Sequence, residues 1–428
     1  MKPERCTKNR PICDLIRKVF PLILMTPFLF ACDSDKDSDY GKKLPDAEPI
    51  NLRLAEKVET DNSFALDLFR TTYNSDDKEN VFVSPLSVSM ALSMTLNGAK
   101  GATLEKMMYA LRANKYSLDD INEYNKDLKE ALINVDKSTS LTIANSIWYR
   151  NDVSVKNDFI SVNKNHYNAE IKALDFGSPD AVKQINNWCA KQTNDKIQEI
   201  VEKIPKEALM YLINAVYFKG IWVSKFDKNK TTKEDFYTEN NISTGKVNMM
   251  HQTGSFDYYS DEYCRYLKLP YGNNAFSMIV MLPNDNKTAD DIVSNLDNER
   301  WNNAMDYMSG KDVNLSFPRF KTECEYKMQE SILPEMGMIT PFSPYSADFS
   351  GMFENTNACI SNVIHKTFVE VNEEGTEAAA VTSVEMIFTS VQGPVIIDYT
   401  INKPFVFAIR ENSTGVILFI GKISQIKE

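Results

Sequence analysis

One long segment near the C-terminus alternates between two kinds of position. From Thr376 to Phe388 every second residue is uncharged, and the intervening positions include Glu377 and Glu385. The uncharged set consists of Thr376, Ala378, Ala380, Thr382, Val384, Met386 and Phe388. A period of two is typical of a β-strand with one buried face and one face in water. No short hairpin signal follows in 391–395 (VQGPV), so the sequence predicts a strand without a sequential partner.

The rest of the chain, from about residue 50, mixes helical and strand patterns without a linker. Ser84 and Pro85 open one helix, since proline is favoured in a first turn, and Gly98 ends it. Helical spacing of apolar residues is found in 61–74, 84–99 and 180–197. Strand patterns are found in 141–150, 209–220, 276–283, 405–411 and 415–423. Helices dominate the first half and strands the second, which predicts a single α+β domain over 50–428.

Charge and motif content exclude several functions. The 428 residues carry a net charge of −11, which argues against nucleic-acid binding through a basic face. Only three histidines are present, His166, His251 and His365, and none lies in a metal-binding motif. Glycine-rich phosphate-binding motifs and the GxSxG nucleophile motif are absent from the sequence. We therefore expect no metal, no cofactor and no enzymatic activity.

Residues 1–31 have the pattern of an export signal. A basic stretch precedes an apolar run from Val19 to Ala31, which is too short to span a bilayer but long enough for a signal peptide core. The run ends in Phe30-Ala31-Cys32, and a small residue before cysteine resembles the bacterial lipobox. We expect a lipoprotein signal peptide, with lipid on Cys32 as the membrane anchor. The alternative is an ordinary secretory signal with an incidental cysteine.

The segment that follows the cysteine predicts a tether. Residues 32–49 begin with the acidic, polar run DSDKDSDYGKK, which offers nothing to bury and is typical of a flexible linker. An acidic run directly after a lipidated cysteine also resembles the export tag of surface lipoproteins in Bacteroidetes-type bacteria. We therefore expect anchoring to the bacterial outer membrane, with surface exposure favoured over a periplasmic orientation.

The cysteines of the body do not form a disulfide framework. They are widely spaced, and a core of this size does not need disulfides. We expect them to be buried free thiols: Cys189, Cys264, Cys324 and Cys359.

The body resembles a serpin over about residues 50–427. The resemblance rests on motifs that occur in the family's order: NVFVSPLSVSMAL with GAKGAT (80–103), INNWCAKQTNDKI (185–197), INAVYFKGIWVSKF (213–226), LPYG (269–272), FPRFK (317–321), ADFSGM (347–352), HKTFVEVNEEGTEAAA (365–380) and NKPFVFAIRENSTGVILFIGKI (402–423). It implies a fold of three β-sheets, about eight or nine helices and an exposed reactive loop at about 373–401. A reactive loop would explain the strand pattern without a sequential partner, because in this family the loop becomes a strand of the main sheet only after a protease cuts it.

The family's register places the scissile bond between Thr389 and Ser390, with Met386, Ile387 and Phe388 as alternative cleavage points. The hinge that leads into the loop then comprises Glu373, Gly375, Thr376, Glu377, Ala378, Ala379 and Ala380. The alanines are small enough to slide between two strands without overpacking. In family members that do not inhibit, the hinge often carries bulky, charged or proline residues where this chain has Thr376 and three alanines.

The resemblance implies inhibition of serine proteases, with cysteine proteases as a further target class. A protease would form an acyl-enzyme at Thr389, and loop insertion into the main sheet would trap this covalent complex. A small β-branched residue at the cleavage point favours elastase-like or subtilisin-like targets. Four polar residues would control opening of the sheet as the family's shutter, Ser84, Ser87, Asn214 and His365. Trp222 would lie at the breach, where insertion starts.

Two alternatives remain open at this stage. A serpin fold could serve as a non-inhibitory binding protein, although the hinge composition argues against this function. A cell-surface hydrolase is the alternative from another class, but the three histidines lack a catalytic context. We expect a monomer whose partners are target proteases and, through Cys32, a membrane.

Overall fold

The structure is a computed structural model that describes residues 44–75, 79–354, 358–376 and 396–427. Nine α-helices lie within these ranges. They are α1 (Lys57–Ser75), α2 (Pro85–Leu96), α3 (Gly101–Ala110), α4 (Leu118–Asn134), α5 (Asn157–Tyr167), α6 (Pro179–Gln192), α7 (Ala289–Asn295), α8 (Asn298–Tyr307) and α9 (Ile332–Glu335). None of the helices in the described ranges is long and apolar enough to cross a membrane.

The β-strands dominate the second half of the chain, as the sequence predicts. They are β1 (Val81–Val83), β2 (Ser140–Arg150), β3 (Glu170–Leu174), β4 (Met210–Ile221), β5 (Thr232–Tyr237), β6 (Ser243–Ser260), β7 (Cys264–Tyr271), β8 (Phe276–Pro283), β9 (Ser309–Pro318), β10 (Phe320–Lys327), β11 (Ile364–Asn372), β12 (Gly375–Thr376), β13 (Ile397–Thr400), β14 (Phe405–Glu411) and β15 (Ile417–Ile423).

The helix boundaries follow from capping residues. Ser84 caps α2 by accepting a hydrogen bond from the backbone N–H of Ser87 at 3.3 Å, and Pro85 is the first helical residue. Ser178 caps α6 in the same way, so this helix begins at Pro179, one residue before the predicted start. The predicted helix over 61–74 lies inside α1. Each predicted helix is therefore found, although α6 ends at Gln192, five residues before the predicted end.

The strands expected in three sheets are hydrogen-bonded as two in the described residues. A nine-stranded sheet has the order β1-β15-β14-β8-β7-β6-β9-β13, with β5 also paired to β6. Strand β6 joins its two halves because its 18 residues pair with β5 and β9 and then, through Tyr258–Ser260, with β7. The α+β fold itself is confirmed.

The second sheet is covered on one face by α6. Its six strands have the order β10-β11-β12-β4-β2-β3. Ile185, Trp188 and Cys189 of α6 pack in one apolar cluster with Trp148 of β2 and Tyr211 of β4. The rings of Trp148 and Trp188 meet edge to face with centroids 6.1 Å apart. On its other side β4 contacts α2, so it is buried between helices, as its apolar sequence predicts.

The four cysteines of the described body are free. Cys189, Cys264 and Cys324 are buried, in agreement with the prediction, whereas Cys359 is partly exposed. Burial raises the pKa of the Cys189 thiol to about 12, so this thiol stays protonated and unreactive.

The end of the predicted tether contacts the body. The backbone N–H of Ala47 donates to the carbonyl oxygen of Asn273 at 2.8 Å, and the Asp46 carboxylate accepts from Asn274 Nδ2 at 2.5 Å. The Ile50 N–H donates to Ser413 Oγ at 2.9 Å. Residues 46 and 47, inside the 32–49 segment, are therefore fixed on the turn between β7 and β8.

Candidate functional site at the opening of the six-stranded sheet

The six-stranded sheet contains a two-residue strand between two long ones. Strand β12 pairs antiparallel with β11 on one side and β4 on the other, and Thr376 lies opposite both Val371 and Gly220. Strands β11 and β4 are 9 and 12 residues long, and both extend along the sheet beyond this pairing. They therefore flank a slot, called here the β4–β11 slot, whose first positions are filled by Gly375 and Thr376.

A glycine is required where the chain turns into this slot. Gly375 has a φ of +149°, which L side chains rarely adopt, and a Cβ there would lie 2.0 Å from the carbonyl oxygen of Gly220. The turn is closed by the Glu374 N–H, which donates to the Asn372 side-chain oxygen at 3.0 Å. The predicted hinge glycine thus allows the close approach of two strands.

Trp222 fixes the hinge from the end of β4. Its backbone N–H donates to the carbonyl oxygen of Glu374 at 2.8 Å, and its indole Nε1 donates to that of Asn372 at 2.9 Å. The Phe226 N–H donates to the carbonyl oxygen of Glu373 at 2.9 Å. Trp222 is almost fully buried, at 3% exposure. The tryptophan predicted at the breach therefore contacts the hinge directly.

The two hinge carboxylates are buried beside basic residues. Glu373 accepts from Thr231 Oγ1 at 2.9 Å and lies 3.7 Å from Arg319 Nε. Glu374 Oε1 is 2.5 Å from Lys228 Nζ, while its Oε2 is buried without a hydrogen-bond partner. These partners lie between 54 and 146 residues away in the chain, too far for local sequence patterns to indicate them. The FPRFK motif, which contains Arg319, was the one available signal.

The four predicted shutter residues form one buried cluster. The Ser84 N–H donates to His365 Nε2 at 2.9 Å, and the Ser87 hydroxyl donates to Asn214 Oδ1. Asn214 Nδ2 in turn donates to Asn145 Oδ1 at 2.5 Å. Asn145 faces Asn214 across β2 and β4, and the sequence analysis did not identify it. The cluster links α2 to β2, β4 and β11, the strands on both sides of the slot.

His365 is uncharged in this cluster. Its ring is 4% exposed, and Nε2 accepts a hydrogen bond, which places the proton of the neutral ring on Nδ1. Burial lowers the pKa of His365 to about 3. A charged imidazole would bring a second donor against the Ser84 N–H, so the cluster requires the neutral form.

The remaining predicted site residues lie outside the described residues. These are the hinge residues Glu377, Ala378, Ala379 and Ala380, the cleavage-point residues Met386, Ile387, Phe388, Thr389 and Ser390, and the lipidation site Cys32. The range assigned to the reactive loop, 373–401, is tied to the body at both ends. Glu373 to Thr376 lie at the β4–β11 slot, and Ile397–Thr400 forms β13 beside β9.

Comparisons with known proteins match this geometry. The family model described as "Serpin (serine protease inhibitor)" matches residues 59–426. A leukocyte elastase inhibitor of Xenopus laevis is 37% identical over 373 residues, covering 85% of this chain and 97% of the relative. The native state of the thermophilic serpin tengpin aligns with a TM-score of 0.80 and 35% identity, over 89% of this chain and 97% of that chain. Human thyroxine-binding globulin in complex with thyroxine aligns with a TM-score of 0.80 and 26% identity, over 88% and 100%.

The chain belongs to the serpin family. The predicted family and its fold are confirmed. The family is described as one of protease inhibitors rather than catalytic enzymes.

We predict that acid destabilises the protein through His365. Because the folded pKa is about 3 and the unfolded one is about 6.5, only the unfolded state binds this proton between those values, and stability falls as pH falls through that window. Such a group lowers the free energy of unfolding by roughly 1–2 kcal/mol between pH 7 and pH 5. His365→Gln, whose side-chain oxygen can still accept from Ser84, should lose this contribution.

Urea unfolding of the wild type, His365→Gln and His166→Gln at pH 7 and pH 5 tests this expectation. His166→Gln removes a histidine of α5 outside the cluster and is the control, which should keep the wild-type difference between the two pH values. An unchanged pH dependence in His365→Gln would contradict the prediction.

Proposed function

We propose that this serpin is an inhibitor that acts as a suicide substrate of serine proteases. The observation that carries the proposal is the pairing of Gly375 and Thr376 with both β11 and β4. These residues lead directly into the predicted reactive loop and occupy the first positions of a slot flanked by two longer strands. Continued pairing along the same strands is the geometry that loop insertion requires.

The side-chain pattern of the loop fits such continued insertion. Thr376 is 2% exposed and faces the core at Tyr271. Because strand side chains alternate, the uncharged residues that follow at every second position would share this buried face. Glu377 and Glu385 would fall on the opposite face. Insertion would therefore place no unpaired carboxylate in the core.

In the proposed reaction the protease serine attacks the carbonyl carbon of Thr389. An acyl bond forms between the protease and Thr389, and the amine of Ser390 leaves with a proton. The released strand then enters the β4–β11 slot and carries the bound protease with it. Insertion must distort the protease before water hydrolyses the acyl bond, so the intact protein is a kinetically trapped state.

Target and location follow from other parts of the chain. Thr389 is small and β-branched, which favours elastase-like or subtilisin-like serine proteases, and the similarity to a leukocyte elastase inhibitor supports this class. Cysteine proteases are a second target class. We also propose that lipid on Cys32 anchors the protein to the bacterial outer membrane, exposed at the cell surface, since the FAC site is followed directly by an acidic run.

The alternative function is that of a non-inhibitory binding protein. One observation favours it, the similarity in fold to thyroxine-binding globulin at 26% identity. The small, uncharged residues that alternate along the loop of this chain favour the inhibitor. The two functions differ in whether a covalent protease complex forms.

We predict that mixing the protein with a serine elastase yields a complex that survives SDS. Thr376→Arg should abolish this complex while the loop is still cut, because an arginine at this buried position would place an unpaired charge in the slot. Thr253→Arg, at an exposed threonine of β6, is the matched control and should retain the complex.

Gel electrophoresis of timed samples provides the readout. Absence of a complex with the wild-type protein across elastase-like and subtilisin-like proteases would contradict the proposed inhibitor. A complex that formed with Thr376→Arg at the wild-type rate would contradict the insertion step alone.

We predict that cutting the loop makes the protein more resistant to heat. The inserted strand would add ladder hydrogen bonds of roughly 1 kcal/mol each and about 25 cal/mol for each Å² of apolar surface buried. Thermal melts before and after limited proteolysis, with mass spectrometry to locate the cut, measure the gain. A cut between Met386 and Ser390 that left the melting temperature unchanged would show that the loop does not insert.

We predict that Cys32 carries the lipid. Labelled palmitate should be incorporated when the full chain is expressed in a bacterium, and Cys32→Ala should remove the label. Cys13→Ala, a change within the signal segment, is the control and should keep it. Equal labelling of wild type and Cys32→Ala would rule out this anchor.

A further inference from the structure

Tyr271 is a buried residue whose role the sequence analysis did not assign. It ends β7 and forms an isolated backbone bridge with Trp222. Its ring is fully buried and stacks on the Trp222 indole with centroids 4.3 Å apart and planes 14° apart. The Phe218 ring meets it edge to face at 5.3 Å. Aromatic contacts on two sides thus fix the direction in which the hydroxyl points.

The hydroxyl of Tyr271 meets Thr376, the second of the two hinge residues that pair within the sheet. The distance from its oxygen to Thr376 Oγ1 is 2.7 Å, and both groups are buried. Burial raises the pKa of Tyr271, so the phenol stays protonated and able to donate or accept a hydrogen bond. Thr376 therefore enters the sheet against a hydroxyl that is already oriented.

The sequence of β4 makes room for this contact. Gly220 is the β4 residue paired with Thr376, and a Cβ at Gly220 would lie 2.7 Å from Cδ1 of the Tyr271 ring. A larger residue at 220 would push the ring away from the hinge. Glycine within a strand often marks a site of close approach, and at Gly220 it accommodates the Tyr271 ring.

We propose that Tyr271 is the positioning residue that selects a hydroxyl-bearing side chain at hinge position 376 and commits the loop to insertion. The proposal rests on the proposed inhibitory function. The hydrogen bond forms only when Thr376 is inside the sheet, so it favours the inserted hinge over the expelled one. A serine or threonine at 376 satisfies the buried phenol, whereas an apolar residue of the same size leaves it without this partner.

The measurable quantity is the ratio of cleaved free inhibitor to covalent complex after reaction with a serine elastase. This ratio compares the rate of acyl hydrolysis with the rate of insertion. Loss of one buried hydrogen bond shifts the hinge equilibrium about five-fold, so Tyr271→Phe, which keeps the ring, should raise the ratio by about five-fold. Thr376→Val should raise it similarly, and Thr376→Ser should restore a ratio near the wild type.

Two further variants separate this role from a general loss of stability. Tyr266→Phe removes another buried hydroxyl of β7, one that contacts Asp261 and not the hinge. It should lower the melting temperature without raising the ratio. The double variant Tyr271→Phe/Thr376→Val removes both partners and should show a ratio no higher than either single variant, because the two changes break the same bond.

The outcomes distinguish this inference from the function on which it rests. A wild-type protein that forms no complex overturns both. A wild-type complex together with an unchanged ratio in Tyr271→Phe, an equal rise in Tyr266→Phe, or additive effects in the double variant overturns the role of Tyr271 alone. If Tyr271→Phe does not fold, the Thr376→Val and Thr376→Ser pair decides, and equal ratios in those two variants overturn the proposal.

Discussion

The pairing of two residues, Gly375 and Thr376, with strands on both sides is the interaction on which the rest of this structure depends. A β-strand in the interior of a sheet satisfies its backbone by pairing with a strand at each edge. At this point of the six-stranded sheet the edges of β11 and β4 meet the hinge rather than each other. The glycine at 375, the bond from Trp222 to Glu374 and the buried carboxylate pairs all keep the hinge in this position.

Buried polar groups are found at two places along the slot, the hinge and the cluster around His365. At each place hydrogen bonds offset the cost of burial. At the hinge, Trp222 donates to the Asn372 carbonyl oxygen, and Glu373 and Glu374 bind Thr231 and Lys228, across 142 to 150 residues of sequence. Farther along the strands, the cluster of Ser84, Ser87, Asn145, Asn214 and His365 ties α2 to both sides of the slot. The two sides are linked through α2, because Ser84 binds His365 of β11 and Ser87 binds Asn214 of β4, so separating β4 from β11 requires that one of these bonds break.

Much of the fold could be predicted from the sequence, because periodicity and capping are local properties. The helix opened by Ser84 and Pro85 and the buried strand β4 were found in this way. The motif resemblance grouped four residues, Ser84, Ser87, Asn214 and His365, that the structure places in one hydrogen-bonded cluster. The contacts of Glu374 with Lys228 and of Thr376 with Tyr271 could not be predicted, because they join segments distant in sequence. The sequence resemblance implied three sheets and the described residues form two, because β6 runs unbroken through both halves of one sheet.

The two ends of the reactive segment belong to different sheets, which bears on whether a cut chain could be rejoined. Thr376 pairs within the six-stranded sheet, whereas Ile397–Thr400 lies beside β9 in the nine-stranded sheet with Tyr399 fully buried. If the chain were cut and its first part entered the slot as proposed, the new carboxyl and amino ends would follow different sheets and separate. Peptide bond resynthesis requires those ends in contact. On the proposed mechanism each molecule would be consumed in a single encounter with a protease, so the capacity for inhibition would be set by the number of intact molecules.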